Sequence, residues 1–204
     1  MNHRLALRLV AALLPAAALL PGAAHAEKVV TEDAVGDVLQ ADLASELDEP
    51  VWVPAPDEVS TDIVRTVAAY GDTRLTVTVH FRDLLNTRYQ ETYLKILTPN
   101  GSYILGAARE PGTKVDVAIM RGRVGELECR GLRAKFDGGA DTISVSVPAS
   151  CLDEARWVRL GVGATGFDIP EGEMPETVPF FGDDGHRNAI GDTSIGKGPR
   201  IRRG

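Results

Sequence analysis

Apolar and polar side chains alternate with a period of two over much of the middle of the chain. Residues 74–82 give the clearest example, because the odd positions are Leu, Val, Val and Phe and the even positions are polar or charged. Residues 142–147 repeat the pattern, with Ile and Val at the odd positions. This alternation is typical of β-strands that bury one face. It predicts seven further strands, at residues 62–70, 91–98, 102–107, 115–121, 126–129, 132–136 and 157–164.

Turn sequences separate the predicted strands at short intervals. Pro-Asn-Gly at 99–101 and Asp-Gly-Gly at 137–139 have the composition of tight hairpin loops. No long helix is predicted between the strands, although residues 149–154 have the length of a single helical turn. Hairpin-linked strands without crossover helices predict an all-β fold, an antiparallel, jelly-roll-like β-sandwich of about nine strands.

The start of the chain has the pattern of a secretory signal peptide. Arg4 and Arg8 precede an apolar run at 9–20, and Ala-His-Ala at 24–26 is a small-x-small cleavage site. The run is shorter than the roughly 20 apolar residues that a membrane-spanning helix needs. We therefore expect cleavage before Glu27 and a secreted protein, either extracellular or held in the periplasm or cell envelope, with no membrane span after removal of the signal.

The distribution of charge divides the chain into regions. Residues 27–60 contain ten acidic side chains and one basic one, whereas residues 61–165 contain 12 acidic and 14 basic ones. We expect a signal peptide at 1–26, an acidic N-terminal arm at 27–60, a β-sandwich core at 61–165 and an irregular, Gly- and Pro-rich C-terminal tail at 166–204. The acidic balance argues against nucleic acid as a partner, because phosphate recognition needs dense Lys and Arg.

Two patterns concern local structure in the arm and the tail. Val35, Leu39, Leu43 and Leu47 recur every four residues, which predicts a short amphipathic helix, with a partly ordered leader as the alternative. The basic end of the tail, residues 200–203, is interpreted as a frayed terminus rather than a recognition signal.

The chain contains two cysteines, Cys129 and Cys151. In an oxidising compartment an isolated pair most simply forms a disulfide. Closing a loop of this length stabilises the fold by about 3 kcal/mol in the chain-entropy model. Two free thiols are the alternative, and a catalytic thiol is disfavoured because neither cysteine has a histidine nearby in the sequence.

Sequence signatures of catalysis are scarce. The chain has no HExxH, no GxSxG and no P-loop.

His80 lies on the polar face of a predicted strand, and Trp157 faces away from its apolar neighbours, so both are candidate ligand contacts. Trp52, in an extended segment, either plugs the sandwich or stacks on a sugar. We expect a non-catalytic binding or interaction module with no catalytic residues; the alternative is a secreted hydrolase of glycan or peptide with a dispersed carboxylate site.

Acidic residues of the arm are the best candidates for metal ligands. Asp33 and Asp37 lie four residues apart around Gly36, and Asp57 and Asp62 come just before the first clear strand. Calcium takes six to eight oxygen ligands, including carboxylates and backbone carbonyls. Two interpretations stay open, a calcium site built from these four aspartates and a solvated acidic surface. No other cofactor is indicated.

Several of these residues also carry a resemblance to a known family. The pair Asp33 and Asp37, followed by Asp62 and then by Val-His-Phe-Arg-Asp-Leu at 79–84, resembles exported bacterial sandwich domains of the DOMON and family 9 carbohydrate-binding-module type, over residues 30–165. The resemblance implies a jelly-roll-like sandwich that binds sugar, haem or calcium, and it implies a glycan or an envelope protein as partner. The Met and His expected of a haem site are not evident.

Overall fold

The fold is described by a computed structural model that covers residues 26–43, 50–122, 124–169, 172, 175–186 and 195–204. These residues form fourteen β-strands and a short 3₁₀ helix, Ala149–Leu152, arranged as two antiparallel sheets. The predicted all-β sandwich is thereby confirmed. The predicted signal peptide lies outside the described residues except for Ala26. Within the described residues, no helix has the length and apolarity needed to cross a membrane.

The strands follow one another along the chain with short connections. They are β1 (Glu27–Glu32), β2 (Leu39–Asp42), β3 (Val53–Pro54), β4 (Ile63–Tyr70), β5 (Arg74–Phe81), β6 (Tyr89–Thr98), β7 (Gly101–Arg109), β8 (Asp116–Arg121), β9 (Gly125–Glu126), β10 (Arg133–Asp137), β11 (Thr142–Pro148), β12 (Trp157–Phe167), β13 (Pro179–Asp184) and β14 (Arg200–Arg202). Eight of the nine strands predicted from the alternation correspond to β4 to β8 and β10 to β12. The strand predicted at 126–129 overlaps β9 only at Glu126.

The two sheets have different sizes. The smaller sheet has the order β1-β4-β5-β11-β10. The larger sheet has the order β3-β2-β13-β12-β6-β7-β8-β9, and β14 pairs with the first residues of β12. Consecutive strands from β4 to β8 are joined by hairpins or by a crossing from one sheet to the other, as in other antiparallel sandwiches.

Alternating apolar side chains of both sheets form the core between them. On β5 of the smaller sheet, Leu75, Val77 and Val79 are at most 1% exposed. They belong to one buried cluster with Leu94 of β6 and Val162 of β12, in the larger sheet. Successive side chains of a strand point to opposite faces, so each strand gives every second residue to this core. Full burial of one such side chain is worth about 1.5 to 3 kcal/mol.

The disulfide between Cys129 and Cys151 is present, which confirms that prediction. It joins the turn before β10 to the 3₁₀ helix that follows β11, and the two Cα atoms are 5.6 Å apart. Both cysteines are half-buried and pack against the edge of the core. The bridge therefore fixes the outer end of the smaller sheet.

The acidic segment 27–60 contributes strands to both sheets. β1 pairs with β4 in the smaller sheet, and β2 pairs with β13 in the larger one. The helix predicted from Val35, Leu39 and Leu43 is wrong, because Leu39 lies on β2 and Val35 in an exposed bend; Leu47 lies outside the described residues. A spacing of four is also an even spacing and therefore fits one face of a strand, and pairing with β13 determines the outcome.

The tail also contributes strands, and the interpretation of its basic end as frayed is wrong. β13 pairs with β12 and β2, and β14 pairs with the start of β12. Ile201, in the middle of β14, is 2% exposed and belongs to the core. The Gly204 N–H donates to the carbonyl of Tyr70 at 3.1 Å. One apolar residue among the arginines is thus enough to anchor the chain end.

Candidate metal centre

A cluster of aspartates lies where the chain passes from the smaller sheet to the larger one. Carboxylate oxygens of Asp37, Asp62 and Asp183 all lie within 4.8 Å of one another. Asp37 belongs to the connection between β1 and β2, Asp62 directly precedes β4, and Asp183 lies on β13. Asp33, in the same connection as Asp37, is close enough for the charges of Asp37 and Asp183 to raise its pKa. We call these four residues the carboxylate cluster.

Strand pairing brings two of these segments together. The end of β1 lies beside the start of β4, and the Asp33 N–H donates to the carbonyl of Val64 at 3.1 Å. The chain then turns at Gly36, whose φ of +79° is in the left-handed region that favours glycine. The Gly36 N–H donates to Asp62 Oδ2 at 2.8 Å. The connection between the sheets is thus tied to the start of β4.

Asp183 joins the two sheets through its side chain. It lies on β13 in the larger sheet, opposite Ala164 of β12. Its Oδ2 accepts a hydrogen bond from the Ile63 N–H of the smaller sheet at 2.7 Å, and its Oδ1 accepts one from the Asp184 N–H at 2.7 Å. Both oxygens of this carboxylate are therefore held in place by backbone donors.

Several oxygens of the carboxylate cluster lack a donor. Asp62 and Asp183 are 0% exposed. Within the described part of the chain, Asp62 Oδ1, Asp33 Oδ2 and both carboxylate oxygens of Asp37 are buried and accept no hydrogen bond. Arg82 is the cation nearest to Asp62, with Nη1 3.5 Å from Oδ2, and its side chain is 39% exposed. One distant guanidinium does not compensate several buried carboxylates, whose burial without a partner costs several kcal/mol each.

The same burial makes these carboxyl groups hold protons more strongly than usual. Burial, together with the charges of Asp183 and Asp37, raises the pKa of Asp33 to about 8. Burial raises the pKa of Asp183 to about 7, and the charge of Asp37 adds to the effect. The pKa values of Asp37 and Asp62 are also raised, mainly by burial. The raised pKa values reflect negative charge that the protein itself does not neutralise, and a divalent cation would neutralise more than one carboxylate at once.

The structure brings together three of the four aspartates that the sequence predicts as metal ligands. Asp33, Asp37 and Asp62 belong to the carboxylate cluster, whereas Asp57 is exposed and lies outside it. Asp183 was missed, because it lies in a region without periodicity and 120 residues after Ile63, its hydrogen-bond partner. The signal that was available is the run Gly-Asp-Asp-Gly at 182–185.

Asp184 supports the centre from the other face of β13. Its Oδ1 accepts a hydrogen bond from the His186 N–H at 3.1 Å, and its Oδ2 accepts one from the Gly196 N–H at 2.5 Å. Its charge contributes to the raised pKa values of Asp33 and Asp37. Asp184 therefore adds to the negative field around the cluster while its own oxygens bind the backbone of the tail.

The two candidate ligand contacts lie away from the carboxylate cluster and from each other. His80 is on the outer face of the smaller sheet, where its Nδ1 is 3.4 Å from Arg65 Nη2. Burial and the charge of Arg65 lower the pKa of His80. Trp157 begins β12, and the guanidinium of Arg200 lies 4.5 Å from the centre of its ring. The structure places these residues at separate surfaces.

Trp52 begins a row of aromatic rings across the outer face of the larger sheet. Its ring centre is 5.8 Å from that of Phe180, which is 6.4 Å from that of Phe167. Phe167 in turn stacks on Tyr89, with ring centres 4.7 Å apart. All four side chains are half-buried. The row packs the segment before β3 onto the outer face of the larger sheet.

Comparison with protein-family models, with curated proteins and with solved structures finds no match to this chain. Function is therefore inferred from the geometry of the sites themselves.

Proposed function

We propose that this protein is an exported, non-catalytic binding or interaction module whose β-sandwich is completed by a calcium ion in the carboxylate cluster. The observation that carries the proposal is the set of buried carboxylate oxygens without donors, above all Oδ1 of the fully buried Asp62. A cation between Asp37, Asp62 and Asp183 would satisfy these oxygens and would link the smaller sheet to the larger one.

The donor set favours calcium among the common cations. Carboxylate oxygens suit hard cations such as Ca²⁺ and Mg²⁺ rather than metals that prefer nitrogen or sulfur. Calcium–oxygen distances of about 2.3 to 2.6 Å place ligands on opposite sides of one ion about 5 Å apart. The limit of 4.8 Å between the three carboxylate oxygens fits around such an ion. Magnesium usually keeps several waters and takes one or two carboxylates, so it fits a cluster of this size less well.

Burial supports a stabilising role for the cluster rather than a catalytic one. A hydrolase that uses two carboxylates needs both of them beside a cleft that admits substrate. Asp62 and Asp183 have no solvent-exposed surface, so a polymeric substrate has no access to them. The Cys129–Cys151 disulfide is compatible with an oxidising compartment outside the cytosol.

Thermal unfolding of the protein from Glu27 onwards, in calcium and in chelator, tests the proposal. Calcium sites of extracellular modules have dissociation constants on the order of 10⁻⁴ to 10⁻³ M, so about 10 mM calcium stabilises by about 1.4 to 2.7 kcal/mol. We expect the melting temperature to rise by about 3 to 10 °C. The same concentration of magnesium should raise it less. Equal melting temperatures in calcium and in chelator would contradict the proposal.

Two substitutions make the test specific to the cluster. Asp62→Asn removes the charge of a buried cluster member, and we expect it to abolish the calcium-dependent rise. Asp57→Asn removes the same charge from an exposed residue outside the cluster, and we expect the full rise to remain. Loss of the rise in both variants would indicate non-specific binding of calcium to the acidic surface.

A further inference from the structure

An open, basic pocket lies at the opposite end of β1 from the carboxylate cluster. It has a volume of about 600 Å³ and is lined by Glu27, Arg156, Trp157, Arg200, Arg202 and Arg203. Glu27 and Asp33 are six residues apart on an extended segment, which corresponds to roughly 20 Å. The two sites are therefore physically separate. Pockets that bind small ligands typically fall in the same range of volume, about 300 to 1,000 Å³.

The pairing of β14 with β12 builds this pocket. Trp157 pairs with Arg202, and the pairing continues to Arg200 two residues earlier. Because Ile201 between the two arginines is buried in the core, alternation along the strand directs both arginines outward. The Arg202 N–H donates to Glu27 Oε2 at 2.5 Å, which ties β14 to the start of β1. The arginines are thus presented by an anchored strand.

The charge of the pocket is largely uncompensated. Four arginines face one glutamate. Arg203 forms an ion pair with Glu154 at 2.5 Å and donates to the carbonyl of Asp72. In the described part of the chain, the side chains of Arg156, Arg200 and Arg202 form no ion pair. This positive surface belongs to a chain with a formal net charge of −7, so it differs in sign from the molecule as a whole.

We propose that this pocket binds an acidic saccharide, with guanidinium groups on its carboxylates and the indole of Trp157 in contact with its sugar ring. Arginine binds carboxylates through two parallel hydrogen bonds, which gives both affinity and orientation. Trp157 is half-buried, and the Arg200 guanidinium lies over its ring, 4.5 Å from the ring centre. The rest of the indole supplies an apolar surface next to these charges. A neutral sugar would leave the positive charge of the arginines uncompensated, and a simple anion would not cover the indole. The inference rests on the proposed role as a binding module and names its ligand class.

Titration calorimetry of the protein from Glu27 onwards, in calcium, with a hyaluronan hexasaccharide as the acidic probe tests this proposal. Maltohexaose serves as the neutral probe and inorganic phosphate as the simple anion. We expect binding of the acidic hexasaccharide that weakens as salt rises, because exposed charges are screened. No binding of this probe, or equal binding of maltohexaose, would overturn the proposal. Phosphate that binds as tightly as the hexasaccharide would also overturn it, since an anion site alone would then explain the result.

A charge-matched control makes the test specific to the pocket. The double variant Arg156→Gln and Arg202→Gln should weaken binding of the acidic hexasaccharide by at least about tenfold, which corresponds to about 1.4 kcal/mol, because two guanidinium contacts to carboxylates are lost. Arg130→Gln and Lys135→Gln remove the same charge from exposed positions elsewhere and should leave binding within about twofold. Unchanged affinity in the pocket variant, at an unchanged melting temperature, contradicts the proposal.

Failure of the calcium proposal and failure of the saccharide proposal can be told apart. If calcium raises the melting temperature and the hexasaccharide does not bind, the ligand class is wrong and the metal site stands. If the hexasaccharide binds and calcium has no effect, the pocket stands and the metal centre is wrong.

Discussion

The two carboxylate oxygens of Asp62 have different surroundings. Its Oδ2 accepts a hydrogen bond from the Gly36 N–H and lies 3.5 Å from Arg82 Nη1, so that oxygen is fixed. Its Oδ1 is buried and accepts no hydrogen bond from the described residues. One oxygen therefore positions the side chain while the other is left without a donor. Asp62→Asn keeps one carbonyl oxygen but removes the negative charge and replaces the second oxygen with an NH₂ donor, so we expect the calcium response to be lost.

Gly163 is a position at which a single added carbon atom would disturb the packing of the larger sheet. It lies on β12 directly opposite Tyr93 of β6, and a Cβ at residue 163 would overlap the Tyr93 ring. We expect Gly163→Ala to lower the free energy of unfolding by about 1 to 3 kcal/mol, because the ring must leave its place. Denaturant unfolding with calcium present measures this loss.

Gly139→Ala is the matched control for Gly163→Ala. Gly139 lies in the exposed hairpin turn between β10 and β11, and the nearest atom to an added Cβ is Asp137 Oδ1 at 3.7 Å. The change should stay within about 0.5 kcal/mol. A loss as small at Gly163 as at Gly139 would show that Tyr93 adapts without cost.

At the scale of strands, the sequence predicts the elements in which apolar and polar residues alternate along the whole strand. Apart from β9, whose two residues are exposed, the strands from β4 to β12 turn one face toward a core that both sheets share, so apolar residues at every second position mark them. β1, β2 and β14 are short or lie at an edge of the fold. On β1 only Val29 packs against the core, and Val30 is 50% exposed. Such strands are defined by pairing with distant partners, which a local pattern does not contain.

The disulfide acts at this same scale, because it links the ends of β10 and β11. Cys129→Ala with Cys151→Ala should lower the free energy of unfolding by about 3 kcal/mol, since the unfolded chain gains the freedom of the opened loop. Denaturant unfolding of the oxidised protein and of the double variant measures the difference. The denatured, unreduced protein should show no thiols that react with a thiol reagent. Two titratable thiols, or a loss well below about 1 kcal/mol, would contradict this prediction.

At the scale of the whole molecule, the carboxylate cluster collects residues from three distant parts of the sequence. Asp33, Asp37 and Asp62 were accessible to sequence reasoning, because acidic residues around a glycine and before a strand suggest oxygen ligands. Asp183 was not, because only the pairing of β13 with β12 places it inside the sandwich. Asp57 satisfied the same sequence criterion and is exposed. Composition identifies the kind of ligand, and tertiary structure selects which residues are close enough to share an ion.

Without calcium, the stability of the whole fold should fall as pH rises, the reverse of the behaviour of paired carboxylates. Asp33 and Asp183 have pKa values raised to about 8 and about 7 in the folded state, whereas carboxyl groups of an unfolded chain titrate near pH 4. Between about pH 4 and pH 8 the unfolded state therefore releases protons that the folded state retains, and stability is lost through this window. In the proposed site calcium would replace those protons, so the difference in melting temperature between calcium and chelator should widen from pH 5 to pH 8. Asp37→Asn should flatten the profile in chelator, because it removes one of the repelling charges, while Asp57→Asn should leave it unchanged. A difference that is constant across this range would show that the cluster does not exchange protons for the cation.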